Sequence, residues 1–309
     1  MNKYFTPINL NFAFLGCLLF SSCDSDKPPF PLGFGEERVY SNHVEIDVGF
    51  ENEGAVLAGT LFLPNTPGPH PVMVHHFGSD RWKRLAYSDA IQANLDEGLA
   101  LFFYDKRGVG DSQGDCCAWK DPDYFYLLAG DMASAVRLLR THHKVDSNRI
   151  GLYGFSQGGW IVPIAAADTT LHIAWTVIGS GPTVSLGEEI LYSELSGDDE
   201  CKNSSMSDSA IYAVMDKNGP SGFNPRVSLE RMKNPGIWVY GGLDRSIPVS
   251  RSIEILNDIK SSQLHDFTII LRPTWNHCWV VNGAPCDCEG IRGDQYFIFQ
   301  WIKDHAGLQ

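Results

Sequence analysis

The sequence predicts an α/β fold: a mostly parallel sheet with helices on both faces and a small helical insertion. Three observations predict it. Apolar runs of strand length, such as LALFFYD (99–105), alternate with stretches of helical spacing, such as residues 124–141. Two strand-like runs, HVEIDV and VLAGTLFLP, open the chain as a hairpin around GFENEGA. One polar stretch, residues 182–232, separates two core strands by far more than an ordinary connection. Strand–helix alternation gives a parallel doubly wound sheet, because each crossover lays a helix on a sheet face. A structureless excursion as long as 182–232 is rare inside a domain, so it is expected to be a helical cap.

In chain order, VMVHH (72–76) reads as a short strand and residues 84–97 as a helix through Leu85, Ile91 and Leu95. LALFFYD is apolar throughout, as a strand buried on both faces must be. Residues 124–141 place Leu127, Leu128, Met132, Val136 and Leu139 on one helical side. RIGLYG (149–154) is the next strand and GWIVPIAAA (159–167) the next helix, with Pro163 expected close enough to the first turn to be tolerated. IAWTVIG, GIWVYGG and FTIILRP are further strands, and helices are expected at 248–260 and 293–305.

The chain has 309 residues, 43% hydrophobic and 20% charged, enough for a sizeable core. Its net charge of −13 makes nucleic acid and anionic membrane surfaces poor partners. Residues 1–22 have one lysine, a short apolar run from Phe12 to Phe20 and small residues before Cys23. That run is too short to span a bilayer and fits an export signal. Ser21-Ser22-Cys23 resembles a bacterial lipoprotein signal, which implies lipidation of Cys23 and a membrane contact through that anchor alone; Phe20 departs from the pattern, and plain secretion is the alternative. Residues 23–38 are expected to be a Pro/Gly-rich tether, and 39–309 the globular domain. In an oxidising compartment Cys116, Cys117, Cys201, Cys278, Cys286 and Cys288 are expected to form disulfides, with the pairing left open. Their spacing does not suit zinc, and no metal or cofactor is expected.

Two segments match the nucleophile pattern G-x-S-x-G: GDSQG (110–114) and GFSQG (154–158). A nucleophile elbow needs a strand before the serine and a helix after it, so that a tight turn lifts Oγ above the sheet. Ser156 has both; Ser112 lies between two loop-like stretches and is expected to be structural. The acid and base should follow in the order serine, acid, histidine. Asp244 in GGLDRSIP and His277 in TWNHCWV follow successive strands on the ligand-binding edge, whereas Asp266 precedes its strand on the other. The oxyanion donors are expected to be the N–H of Gln157 and that of Phe77, with Gly78 the alternative. His75 and His76 are read with that loop.

LAGTLFLP, YDKRGVGDSQG, RIGLYGFSQGGWIVPIAA and GGLDRSIP together resemble the α/β-hydrolase superfamily over roughly residues 44–305, and more narrowly bacterial esterases near the serine aminopeptidase-type hydrolases. The resemblance implies a Ser156–His277–Asp244 triad and a structural D-x-R-G-x-G-x-S turn at 105–112. It also implies hydrolysis of a small-molecule ester without a cofactor. A short peptide or a thioester is the alternative substrate, and a catalytically silent tethered binding module the alternative function. HHFG replaces the family's usual His-Gly, which touches the oxyanion loop and the acyl pocket.

Overall fold

The computed structural model describes residues 30–308, apart from 119–120, 199–203, 205, 264 and 286. The proposed signal, Cys23, Cys201 and Cys286 lie outside the described residues.

Strands β1 (Gly33–Phe34) and β2 (Arg38–Val39) pair antiparallel with β3 (His43–Asn52). Two short strands, at 33–34 and 38–39, thus join the sheet in a stretch where a tether up to residue 38 was expected. Arg38 explains part of this: its guanidinium bonds Asp47 at 2.6 and 3.0 Å and holds the segment on β3. β3 and β4 (Ala55–Pro64) form the expected hairpin, paired from His43↔Pro64 to Asn52↔Ala55. Its two-residue turn, Glu53-Gly54, has positive φ at both positions (46° and 73°), the turn whose twist matches the strands.

β4 pairs antiparallel with β6 (Ala100–Tyr104), and from there the sheet is parallel: β6, β5 (His70–His76), β7 (Val145–Phe155), β8 (Trp175–Gly179), β9 (Gly236–Gly241), β10 (Phe267–Arg272). β5 lies between β6 and β7, so the winding reverses there. The loops leaving those three strands meet at the carboxyl edge, where open α/β sheets open a crevice.

Side chains of β6 alternate between two cores. Ala100, Phe102 and Tyr104 join the larger one with α2 (Pro122–Leu139) and α3 (Gly158–Ala167). Leu101 and Phe103 join the smaller one with α1 (Asp89–Asp96) and α8 (Tyr296–Ala306). α7 (Val249–Gln263) carries the chain from β9 to β10. The expected cap contains α4 (Leu186–Ser196), α5 (Asp208–Asn218) and α6 (Arg226–Arg231); Tyr192, Ile211 and Met215 give it a core of its own.

Two local expectations shift. Helix α1 starts at Asp89 rather than 84, because the loop after β6 claims the backbone before it. Arg84 N donates to Asp105 Oδ1 at 2.7 Å and Lys106 N to Trp82 O at 3.1 Å. Pro163 stands in the second turn of α3, where it removes the donor for the Gly159 carbonyl. Burial of most of α3 between sheet and cap keeps the helix continuous.

The turn at 105–112 is structural, as expected. Ser112 Oγ donates to Asp105 O (2.7 Å) and accepts from Ala58 N (3.0 Å), and Ser112 is buried. Arg107 lies against the fully buried Asp131, with Nε donating at 3.0 Å. Burial raises the Asp131 carboxyl, and Arg107 and Asn52 oppose that shift. Replacing Arg107 with Met strands a buried carboxylate and should cost about 3–5 kcal/mol, read as a lower denaturation midpoint. A loss under about 1 kcal/mol would show that Arg107 is not what compensates Asp131.

Candidate active site

At the end of β7 the chain turns through Ser156 into α3. Ser156 has φ +52°, the left-handed region that a non-glycine residue occupies only when its surroundings enforce it. Packing enforces it here. A Cβ on Gly154 would sit 2.5 Å from the Gly158 carbonyl oxygen, so strand and helix can cross this closely only with glycine at 154. Ser156 N donates to Gly179 O of β8 at 2.9 Å. Ser156 itself is half-buried. The loop after β5 passes directly against it: a Cβ on Gly78 would lie 3.3 Å from Ser156 Cβ and 3.7 Å from its Oγ.

Asp244 follows β9 and is buried. Its Oδ1 accepts from the N–H groups of Ser246 (2.9 Å) and Ile247 (3.2 Å), and its Oδ2 lies 2.8 Å from His277 Nδ1. The carboxylate is thus aimed by its own loop before it meets the imidazole. His277 follows β10 on the adjacent strand, and its ring packs edge-on against Phe155, one residue before Ser156, with centroids 5.4 Å apart. Burial disfavours charge on this ring. The Asp244 carboxylate and its hydrogen bond outweigh that, with Asp198 and Glu189 adding to them, and the imidazole is held above its ordinary value of 6.5. The structure therefore brings Asp244 and His277 into direct contact and places His277 beside the Ser156 turn.

The loop carrying His277 is tied down twice. Ser180 Oγ donates to the His277 carbonyl (2.7 Å) and accepts from Trp279 Nε1 (3.0 Å). Cys278, the residue after His277, is disulfide-bonded to Cys288. Cys116 and Cys117 form a second bridge. Replacing Cys288 with Ser should loosen the His277 loop and lower kcat about 3- to 30-fold while the domain stays folded, since a 1 Å misplacement of a reacting group can cost 100-fold. An unchanged kcat in the variant would show that the bridge does not hold the histidine.

Phe77 leaves β5 with its ring against Phe103 (6.0 Å) and Trp82 (5.4 Å), while Gly78 stands close enough to Ser156 that a side chain there would meet it. Gln157 is buried at the start of α3, where the first helical N–H groups have no intrahelical acceptor. His75 and His76 belong to the strand and its core rather than to the loop. Burial lowers His75 to about 3, and His76 Nδ1 pairs with Tyr104 Oη at 2.8 Å. A cavity of about 580 Å³ between α1 and α8 reaches the back of this loop through Phe77 and His75, but Ser156, Asp244 and His277 do not line it.

Sequence reasoning missed Lys106, Ser180 and Trp279. Lys106 had a signal, a lysine inside a stretch otherwise buried. Ser180 and Trp279 act through one hydroxyl and one indole N–H, which no spacing reveals. Among the described cap acids, Glu188 caps α4, with Oε2 accepting from Ser185 N at 2.9 Å. Glu194 is exposed, and Asp198 accepts from Ser246 Oγ at 2.7 Å. No cluster of metal-ligating side chains occurs among the described residues, and none of their helices is long and apolar enough to cross a membrane.

A doubly wound sheet with a strained serine turn after the central strand, and a carboxylate and histidine after two later strands, is the arrangement of the α/β-hydrolase fold, and the chain carries that fold. Solved structures carry the same fold. Acetyl xylan esterase 1 from Thermoanaerobacterium sp. superposes with a TM-score of 0.61 at 19% identity, covering 91% of this chain and 89% of that one. The Pyrococcus horikoshii acylaminoacyl peptidase gives 0.62 at 17%, covering 88% and 42%. In sequence, residues 53–195 match the family described as X-Pro dipeptidyl-peptidase (S15 family). Thiohydrolase aneE of Aspergillus aculeatus is 31% identical over 124 residues, 40% of this chain and 36% of its own length. Quorum-quenching protein AidA of Acinetobacter baumannii is 32% identical over 126 residues, 40% of each. The aligned part thus spans well under half the length of these relatives. The family match contains Ser156 and stops before Asp244 and His277.

Proposed function

We propose that the protein is a serine hydrolase that cleaves carboxylic esters through an acyl-enzyme on Ser156. The observation that carries this reading is the 2.8 Å contact between His277 and a carboxylate already oriented by two backbone N–H groups, beside a serine held at positive φ. Ser156 Oγ attacks the ester carbonyl carbon while its proton passes to His277 Nε2. Asp244 stays ionised and stabilises the imidazolium. The N–H of Gln157 and that of Phe77, with Gly78 the alternative, stabilise the oxyanion; the closeness of Gly78 to Ser156 supports a donor from this loop. Collapse breaks the ester C–O bond, and the alcohol leaves with the proton from His277. Water then gives a proton to the same nitrogen and attacks the acyl carbon; collapse returns that proton to Ser156 and releases the acid. Labelling by a fluorophosphonate tests this reading directly: wild type should be labelled and a Ser156→Ala variant should not. A wild-type protein that stays inert while binding esters would instead be a binding module.

A peptidase reading has one observation in its favour. Asp198 and Glu189 both act electrostatically on His277, so cap carboxylates lie within range of the site and could hold a substrate amine. The family matched by residues 53–195 is described as a dipeptidyl-peptidase, and one relative is a thiohydrolase. Comparing short-chain esters, a thioester and X-Pro anilides on one purified sample decides among the three. We further propose export with lipidation at Cys23; labelled palmitate should be incorporated in wild type and not in a Cys23→Ala variant.

A further inference from the structure

Lys106 lies between Asp105 and Arg107 in the turn after β6, and only 3% of it is exposed. Its ammonium lies within hydrogen-bonding distance of four oxygens, among which its three protons are shared: Gly78 O (2.9 Å), Ser79 O (3.1 Å), Asp80 O (3.4 Å) and Gln157 Oε1 (2.8 Å). Three are consecutive carbonyls of the loop that touches Ser156, and the fourth is the side chain of the residue after Ser156. Among the described residues no carboxylate forms an ion pair with it; Asp80 acts only at longer range. Burying an ammonium costs several kcal/mol unless hydrogen bonds compensate it. A loop bordered by exposed residues such as Asp80 and Arg81 could have turned its carbonyls to water at far less cost.

We propose that Lys106 is a positioning residue for the oxyanion hole, clamping the loop after β5 to the start of α3. The inference rests on the reading of Ser156 as nucleophile. Two physical consequences support it. A carbonyl turned toward Nζ cannot face the developing oxyanion, where its dipole would repel the charge. The clamp also fixes the separation between the two peptide segments that supply the donors, and preorganised donors are what such a site needs. The fixed positive charge, shielded from water, adds a favourable field behind the oxyanion.

Burial lowers the Lys106 ammonium to about 8, with Asp80 pulling the other way. The nearby His76 is kept neutral by burial and by Lys106 itself, so the clamp loses its charge alone on the alkaline side. The experiment measures kcat and KM on p-nitrophenyl acetate from pH 6 to 9.5 for wild type, Lys106→Met, Lys106→Arg and Ser156→Ala, with thermal melts. In Lys106→Met, kcat should fall about 30- to 100-fold with KM changed less than about threefold, at or below the roughly 100- to 1000-fold loss caused by removing an oxyanion donor outright, because the donors are displaced and not removed. Lys106→Arg should recover about tenfold of that. Wild-type kcat should decline above about pH 8, and the folded Met variant should lack that limb. A folded Met variant with kcat within about threefold of wild type overturns the proposal, as does a rise in KM matching the whole loss in kcat/KM. Should both variants fail to fold, the wild-type profile decides: a flat kcat to pH 9.5 overturns the proposal, a decline supports it. Activity in Ser156→Ala would instead sink the underlying reading of the site, whatever Lys106 does.

Discussion

Replacing Ser156 with Ala should lower turnover of a p-nitrophenyl ester by at least about 10⁴-fold, because nucleophile and base act as a unit and removing one forfeits nearly all their joint effect. Residual activity is expected from the oxyanion donors alone. The variant should melt near the wild-type temperature, since φ +52° strains serine and alanine alike and Ser156 Oγ makes no hydrogen bond among the described residues. The paired control is Ser112→Ala. Ser112 Oγ bridges Asp105 O and Ala58 N, so its loss leaves buried backbone groups unpaired and should cost about 1–3 kcal/mol of stability. Turnover per folded molecule should stay within about threefold of wild type. A Ser112 variant that folds but is inactive, beside an active Ser156 variant, would reverse the assignment.

The second large effect is expected at Asp244. Asp244→Asn keeps the shape but presents an amide to His277 Nδ1, favouring the wrong tautomer, and kcat should fall about 10⁴-fold near pH 7. The pH dependence gives an independent check. Catalysis needs a neutral imidazole, and His277 is raised above 6.5, with Asp244 the largest raising influence. Wild-type kcat/KM should therefore fall with acid from above pH 6.5, and the limb should move to lower pH in Asp244→Asn. Stability carries the opposite sign. A histidine raised in the folded state stabilises the fold fully below its unfolded value and loses that contribution as pH rises through the folded value. Asp244→Asn should accordingly destabilise more at pH 5 than at pH 8. Denaturation midpoints at the two pH values measure this, and an equal loss at both would mean that the carboxylate does not act through the charged ring.

Much of the candidate site was legible because the elbow imposes local rules. A strand, a glycine-flanked serine and a helix must follow one another within twenty residues, and Ser156 alone meets that demand where Ser112 does not. Asp244 and His277 were found through topology: both follow apolar strands, and successive parallel strands deliver their ends to one edge. The start of α1 was not legible, because Asp105 and Lys106 take the backbone partners of residues 82–84 from across the fold. Nor was the pairing of residues 33–39 with β3. The Pro/Gly content suggested a free tether, while backbone pairing with β3 and an arginine reaching Asp47 hold the segment to the sheet. The clamp at Lys106 depends on three carbonyls converging, a property of backbone direction that side-chain identity does not encode.

Among the described residues, hydrogen bonds and an ion pair join the cap to the acid-bearing loop. Asp198 accepts from Ser246, Ser196 Oγ donates to Arg245 O at 2.5 Å, and Arg245 pairs with Asp208 at 2.5 Å. Ser246 is also one of the two residues whose N–H groups aim Asp244. A cap that swung aside would either surrender those contacts or drag residues 245–246 with it, and in the second case the carboxylate would tilt away from His277. Opening and alignment of the Asp244–His277 pair would then be thermodynamically linked, so that under the proposed mechanism full alignment would belong to the closed arrangement.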